Sequence, residues 1–152
     1  MSVRKLRVGA AITITCFGAA VACGDSGSGA SRKAKAEARR FLNELDAAVR
    51  DGNIDLLVAR LNPAVIQRYG EQQCRDFIAA QPPDQTRRDR VRTVAKEEPF
   101  QYSDDGAPPV NAVVVHVKAT IHGKKGDRNL HLARADGGLT YFIDCGNPLP
   151  GQ

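Results

Sequence analysis

None of the four cysteines stands in a Cys-x-x-Cys spacing, so neither a zinc site nor a thioredoxin-type redox centre is indicated. Aromatic residues make up only 5% of the 152-residue chain, and no basic stripe is interleaved with them. That removes the usual sequence mark of a nucleic-acid surface, and no nucleic-acid partner is expected. The densest basic run, Arg87-Arg88-Asp89-Arg90-Val91-Arg92, is interrupted by Asp89. It reads as a solvated strand start or as a surface near anionic lipid. No apolar run is long enough to cross a bilayer: residues 8–21 supply about 14, where roughly 20 are needed.

What is present at the N-terminus has the form of an export signal. Arg4, Lys5 and Arg7 form a basic head, followed by the short apolar stretch and the small-residue end Ala20-Val21-Ala22. This predicts a cleaved signal peptide over 1–22. The end of that stretch resembles the lipobox of bacterial lipoproteins, in which a cysteine after a small residue is lipidated and becomes the new N-terminus. Cys23 matches the invariant position, Ala22 and Val21 are acceptable before it, and Ala20 stands where Leu is usual. The polar Gly24-Asp25-Ser26-Gly27-Ser28-Gly29 that follows suits a flexible tether. The resemblance implies a lipidated Cys23 with a tether over 23–32 and an anchor in the outer face of the cell membrane. Plain secretion is the alternative.

Removing the signal takes three of the 22 basic residues and none of the 17 acids, so the formal charge of +5 falls to a surplus of two. Cys16 leaves with the signal and Cys23 is consumed as the anchor. Cys74 and Cys145 remain as an even pair in an oxidising compartment, which reads as a disulfide. Closing that 71-residue loop is worth about 4 kcal/mol by chain entropy.

The first half has helical periodicity. Ala34, Ala38, Phe41, Leu42, Leu45, Ala48 and Val49 form one apolar stripe over 31–51, with Ser31 as its cap and Gly52 as its stop. Asn53 is placed to cap a second helix carrying Ile54, Leu57, Val58 and Leu61. Asn62-Pro63 starts a third that Gly70 ends. A fourth, over 71–81, presents Cys74, Phe77 and Ile78 before Pro82-Pro83 stops it.

The second half switches to period two. Strands are expected over 90–96 and 110–122, the latter turning through Gly123-Lys124-Lys125-Gly126. With Lys124 and Lys125 at the tip, Val117 faces Leu132 and Ala119 faces Leu130 on the core side. Asp136-Gly137 makes a second tight turn, pairing Leu132 with Tyr141 and Leu130 with Ile143. Cys145 falls on the same buried face.

Helices followed by a curved antiparallel sheet give an α+β class. The run from Phe41-Leu42 through Asp51-Gly52-Asn53 carries a family resemblance. It continues in Leu61-Asn62-Pro63-Ala64-Val65-Ile66, Tyr69-Gly70 and Cys74, and closes with Gly138-Leu139-Thr140-Tyr141-Phe142-Ile143-Asp144-Cys145. Through these the chain resembles small exported lipoproteins of the nuclear-transport-factor-2-like superfamily. The resemblance implies a cone of helices against a bent sheet over 33–146, with 147–152 as a tail. That superfamily hosts enzymes, ligand carriers and assembly modules alike.

No catalytic set emerges: His116, His122 and His131 share the outward parity of the sheet, and no cofactor or metal is called for. Arg128 and Arg134 have inward parity. An arginine facing a cavity suits an acidic or amphipathic ligand, so Arg134, Tyr141, Arg128 and Tyr69 are the candidate binding residues. The first functional expectation is therefore a membrane-tethered, non-catalytic ligand-binding module. A second is an interaction or assembly module of the cell envelope, homodimeric through the outer sheet face at Val114, Ala133 and Phe142. An isomerase- or cyclase-like enzyme is the third.

Overall fold

The computed structural model describes residues 26–102 and 108–146, and side chains from 31 onward. The expected signal peptide over 1–22, Cys23 and the expected tail over 147–152 lie outside the described residues. Four helices precede four strands: α1 (Ser26–Asp51), α2 (Ile54–Ala59), α3 (Pro63–Tyr69), α4 (Glu71–Ala79), β1 (Arg88–Phe100), β2 (Val110–Ile121), β3 (Lys124–Ala135) and β4 (Gly138–Tyr141). The strands form one antiparallel sheet in the order β1-β2-β3-β4. The fold is α+β, with the apolar stripe of α1 laid on the inner sheet face.

The local signals explain the helices. Asn53 accepts from the Leu56 N–H at 3.1 Å, and Asn62 accepts from the Ala64 N–H at 3.0 Å; each cap is worth about 1 kcal/mol. Pro63 opens α3, and Gly70 ends it at a φ of 81°. The helix α1 starts earlier than its expected cap, so Ser31 is interior and residues 26–32 of the expected tether are helical. Once a helix is nucleated, each further residue adds a hydrogen bond, and the Ala-, Lys- and Arg-rich turns carry it outward. α4 stops at Ala79, two residues before the expected end.

The sheet is longer than its period-two pattern. β1 runs from Arg88 to Phe100 with register shifts between Val91 and Thr93 and between Val94 and Glu97; such bulges break the alternation that sequence reading relies on. The β2–β3 turn is His122-Gly123, not Lys124-Lys125, and Ile121 pairs with Lys124. Both turn residues are left-handed, with φ of 47° and 76°, as a two-residue type I′ hairpin requires. The true register differs from the expected one by four residues. An even shift preserves every face, so Val115, Val117, Ala119 and Leu132 are still buried inward. The partners change: Val117 faces Arg128, and Leu132 faces Val113. The Asp136-Gly137 turn and the Leu132–Tyr141 pair are as expected. β4 ends at Tyr141, so Leu130 and Ile143 do not pair.

Past β4, residues Arg60 to Asn62 dock beside the strand. Tyr141 N donates to Arg60 O at 3.1 Å, and Asn62 N donates to Tyr141 O at 2.9 Å. The segment then leaves the sheet and is clamped to α4: Cys74 Sγ and Cys145 Sγ are 1.97 Å apart, at disulfide bonding distance. Gln73 Nε2 also donates to Cys145 O at 3.0 Å.

Candidate functional site

Because β4 is only four residues long, the edge of β3 opposite β2 is unpaired before Leu132. A cavity of about 570 Å³ opens there, between that edge, α1, α4 and residues 81–84. Its inner walls are apolar: Leu42, Leu45, Leu57, Ile78, Leu130 and Leu132. The segment over 85–87, of which Arg87 lines the cavity, is tied to the end of α1 by Arg50 Nη1 donating to Arg87 O at 2.8 Å and Gln85 Nε2 donating to Arg50 O at 2.5 Å. At the mouth, Asp84 accepts from Thr86 Oγ1 at 2.6 Å and from the His122 N–H at 2.7 Å. These bonds hold the Asp84 carboxyl down to about 2, the Thr86 hydroxyl contributing most. They also pin the β2–β3 turn to the cavity rim.

Charge enters this apolar chamber as a paired network. Arg87 and Arg128 both line the cavity. Behind them, Arg87 donates to Asp46 Oδ1 at 3.2 Å and to Asp89 Oδ2 at 2.8 Å, and Arg128 donates to the same Asp89 oxygen at 2.8 Å. The Asp89 N–H donates to Asp46 Oδ2 at 2.6 Å. Two arginines and two carboxylates thus balance in a place where an isolated charge would be costly. Burial still raises the Asp46 pKa, outweighing the help it receives from the Asp89 N–H and from Arg87. Burial also lowers the Arg128 pKa. Two buried atoms of the network, Arg128 Nε and Asp89 Oδ1, have no hydrogen-bond partner among the described residues.

The four candidate binding residues separate. Arg128 reaches the cavity. Tyr141 does too, donating its hydroxyl to Leu57 O at 3.1 Å, and burial raises its pKa. Tyr69 is buried in the core beside the Arg68 guanidinium and does not line the cavity. Arg134 does not line the cavity, although it reaches to the α1 side of the sheet as its parity suggested. It lies at the end of β3 in a bidentate pair with Glu37 of α1, at 2.7 and 2.6 Å, its side chain 58% exposed. Near a strand end an arginine can run out to water whichever face it starts from. Sequence reading missed Asp46, Arg87 and Asp89. Asp46 stands beside Leu45 on the border of the apolar stripe, and a polar residue there is the available signal. Asp89 alternates with Val91 on the buried parity.

The histidines serve the outer face and the rim. His116 Nδ1 is 2.6 Å from Asn129 Oδ1, and His122 sits at the exposed turn. His131 stacks on Phe100 at 3.7 Å, and burial there lowers its pKa. Phe100 also meets Phe142 edge-on at 5.3 Å, and Tyr102 stacks on Phe142 at 5.5 Å while donating to Ala64 O. The far end of the β1–β2 hairpin therefore covers part of the outer face, and Val114 and Ala133 are buried within the chain itself. Among the described residues no three His, Cys, Asp or Glu side chains converge to hold a metal ion. No described helix is long and apolar enough to cross a membrane. No protein-family model matches the chain, and neither the curated proteins nor the solved structures give a significant match.

Proposed function

We propose that this chain is a lipid-anchored, extracytoplasmic binding module of nuclear-transport-factor-2-like form, whose cone holds a small amphipathic ligand. The observation that carries this reading is the roughly 570 Å³ cavity, apolar on its inner walls and polar at Arg87, Arg128 and Tyr141. That size, and an apolar inner wall bordered by polar side chains, suit a small-molecule site. Arg128 takes the anchoring role, because it lines the cavity from the inner sheet face with its side chain 30% exposed. The lining carboxylate, Asp84, is engaged by Thr86 and His122, which favours holding a ligand over acid–base chemistry. The assembly reading has less support, since Val114 and Ala133 are buried within the chain and Phe142 is half-buried in ring contacts with Phe100 and Tyr102.

Native mass spectrometry of the protein purified from its own cells tests the ligand. A co-purifying small molecule is expected, held about tenfold more weakly by Arg128→Ala and displaced by Ile143→Trp, which fills the cavity. Protein that carries no small molecule from either membrane or medium refutes the binding module. The anchor is tested separately: acyl mass on Cys23 and release of Cys23→Ser protein support it, and an unacylated mature N-terminus removes it.

A further inference from the structure

A second depression lies on the opposite edge of the sheet, where β1 is unpaired and α1 passes over it. Arg39 of α1, Arg90 and Arg92 of β1 and Lys118 of β2 converge around about 510 Å³ of open groove. All four are exposed, and none makes a hydrogen bond or ion pair with the described residues. Arg90 stands directly opposite Lys118 in the β1–β2 ladder, a like-charge juxtaposition that costs stability unless an anion relieves it. Asp127, across from Lys118 on the other side, relieves part of it. The carboxylate nearest the groove floor, Asp89, is already committed to Arg87 and Arg128.

We infer that this groove and the solvent side of α1 form a docking face for anionic phospholipid headgroups. The charge runs back along α1 toward the N-terminus: Arg32, Lys33, Lys35, Arg39 and Arg40 oppose Glu37, which Arg134 neutralises. The inference rests on the anchored reading for its choice of occupant. Cys23 lies three residues before Ser26, and Arg39 is 13 residues further along the helix, roughly 20 Å at 1.5 Å per residue. A helix lying along the bilayer would set its cations against the headgroup layer beside its own anchor. Basic residues adjoining a membrane attachment are attracted to negative lipid in this way, and the attraction is screened within a Debye length.

The test is vesicle co-sedimentation of the full chain. Binding to phosphatidylglycerol–phosphatidylcholine vesicles should exceed binding to pure phosphatidylcholine by about tenfold or more. Raising the salt should close that gap. So should the triple variant Arg39→Glu, Arg90→Glu, Arg92→Glu, with its melting temperature kept. The milder pair Arg39→Gln, Arg92→Gln should give an intermediate loss and guards against a folding failure of the reversal. Equal binding to both vesicles, or a phosphatidylglycerol preference that survives the reversal in folded protein, overturns the inference. Both arms use Cys23→Ser protein, in which no acyl chain can saturate binding to either vesicle, so the outcome does not depend on whether Cys23 carries lipid.

Discussion

Six consecutive residues, Arg87 to Arg92, hold two kinds of cation. Arg87 turns inward to Asp46 and Asp89, sharing the latter with Arg128 from across the sheet. Arg88, Arg90 and Arg92 are exposed, and the groove beside Arg90 and Arg92 has no free carboxylate of its own. Period two sorts the two kinds, and the low dielectric of the interior decides what each must do. Inside, a charge persists only where it is matched, so the network is neutral and structural even where it walls the cavity. At the edge, water makes an unmatched arginine cheap, and an unmatched set is free to meet something outside the chain.

The sharpest way to break this contrast is to remove the shared acid. Asp89→Ala leaves Arg87 with Asp46 alone and strands Arg128, so a loss of about 3–5 kcal/mol is expected in chemical denaturation. Arg90→Ala, one residue along, should stay within about 0.5 kcal/mol. Comparable losses would mean that the edge arginines are also matched in solution. The next effect belongs to the bridge. Replacing both Cys74 and Cys145 with Ala should cost about 2–4 kcal/mol. It should also weaken the cavity ligand, because the bridge fixes residues 142–145 against α4, while vesicle binding is unchanged.

A smaller effect follows from acid. The Asp84 pKa is lowered on folding, so its stabilisation is present above the ordinary carboxylate range near 4 and is lost as the pH falls towards about 2. Asp46 has the opposite sign. Its folded pKa is raised, so its contribution is greatest at low pH and fades as the pH rises through that raised value. Asp84→Asn should therefore lose the stability drop between about pH 4 and 2 while leaving the Asp46 slope in place. Urea melts across that range separate the rim carboxylate from the buried network.

How far these features can be read from residues alone depends on whether the signal is local. The helix caps at Asn53 and Asn62 and the Asp136-Gly137 turn are short-range chemistry, and each lies where its residues suggest. The other hairpin turns two residues earlier than expected, which shifts its pairing by four, because Gly123-Lys124-Lys125-Gly126 offers two glycines, and only the left-handed φ at His122 and Gly123 decides between them. Parity survived that error, which is why Arg128 was still assigned to the inner face. It could not tell how far along the face a side chain sits. Arg134, on the same parity, lies near the strand end within reach of Glu37. The acids that complete the network come from α1 and β1, 43 residues apart, and nothing in either segment alone announces the other.

Arg134 gives the smallest and most discriminating test of the inner-against-outer contrast. Its guanidinium is held by Glu37 in good bidentate geometry, which lowers the Glu37 pKa and raises its own. Yet the pair is largely in water, where such bridges contribute about 0–1 kcal/mol. Arg134→Ala should therefore shift the denaturation midpoint slightly, more so at low salt, and leave the affinity of any cavity ligand untouched. Arg128→Ala should do the reverse, lowering ligand affinity beyond what its stability change explains. If Arg134→Ala instead weakens the ligand, the cavity extends along β3 to the strand end and the anchor has been assigned to the wrong arginine.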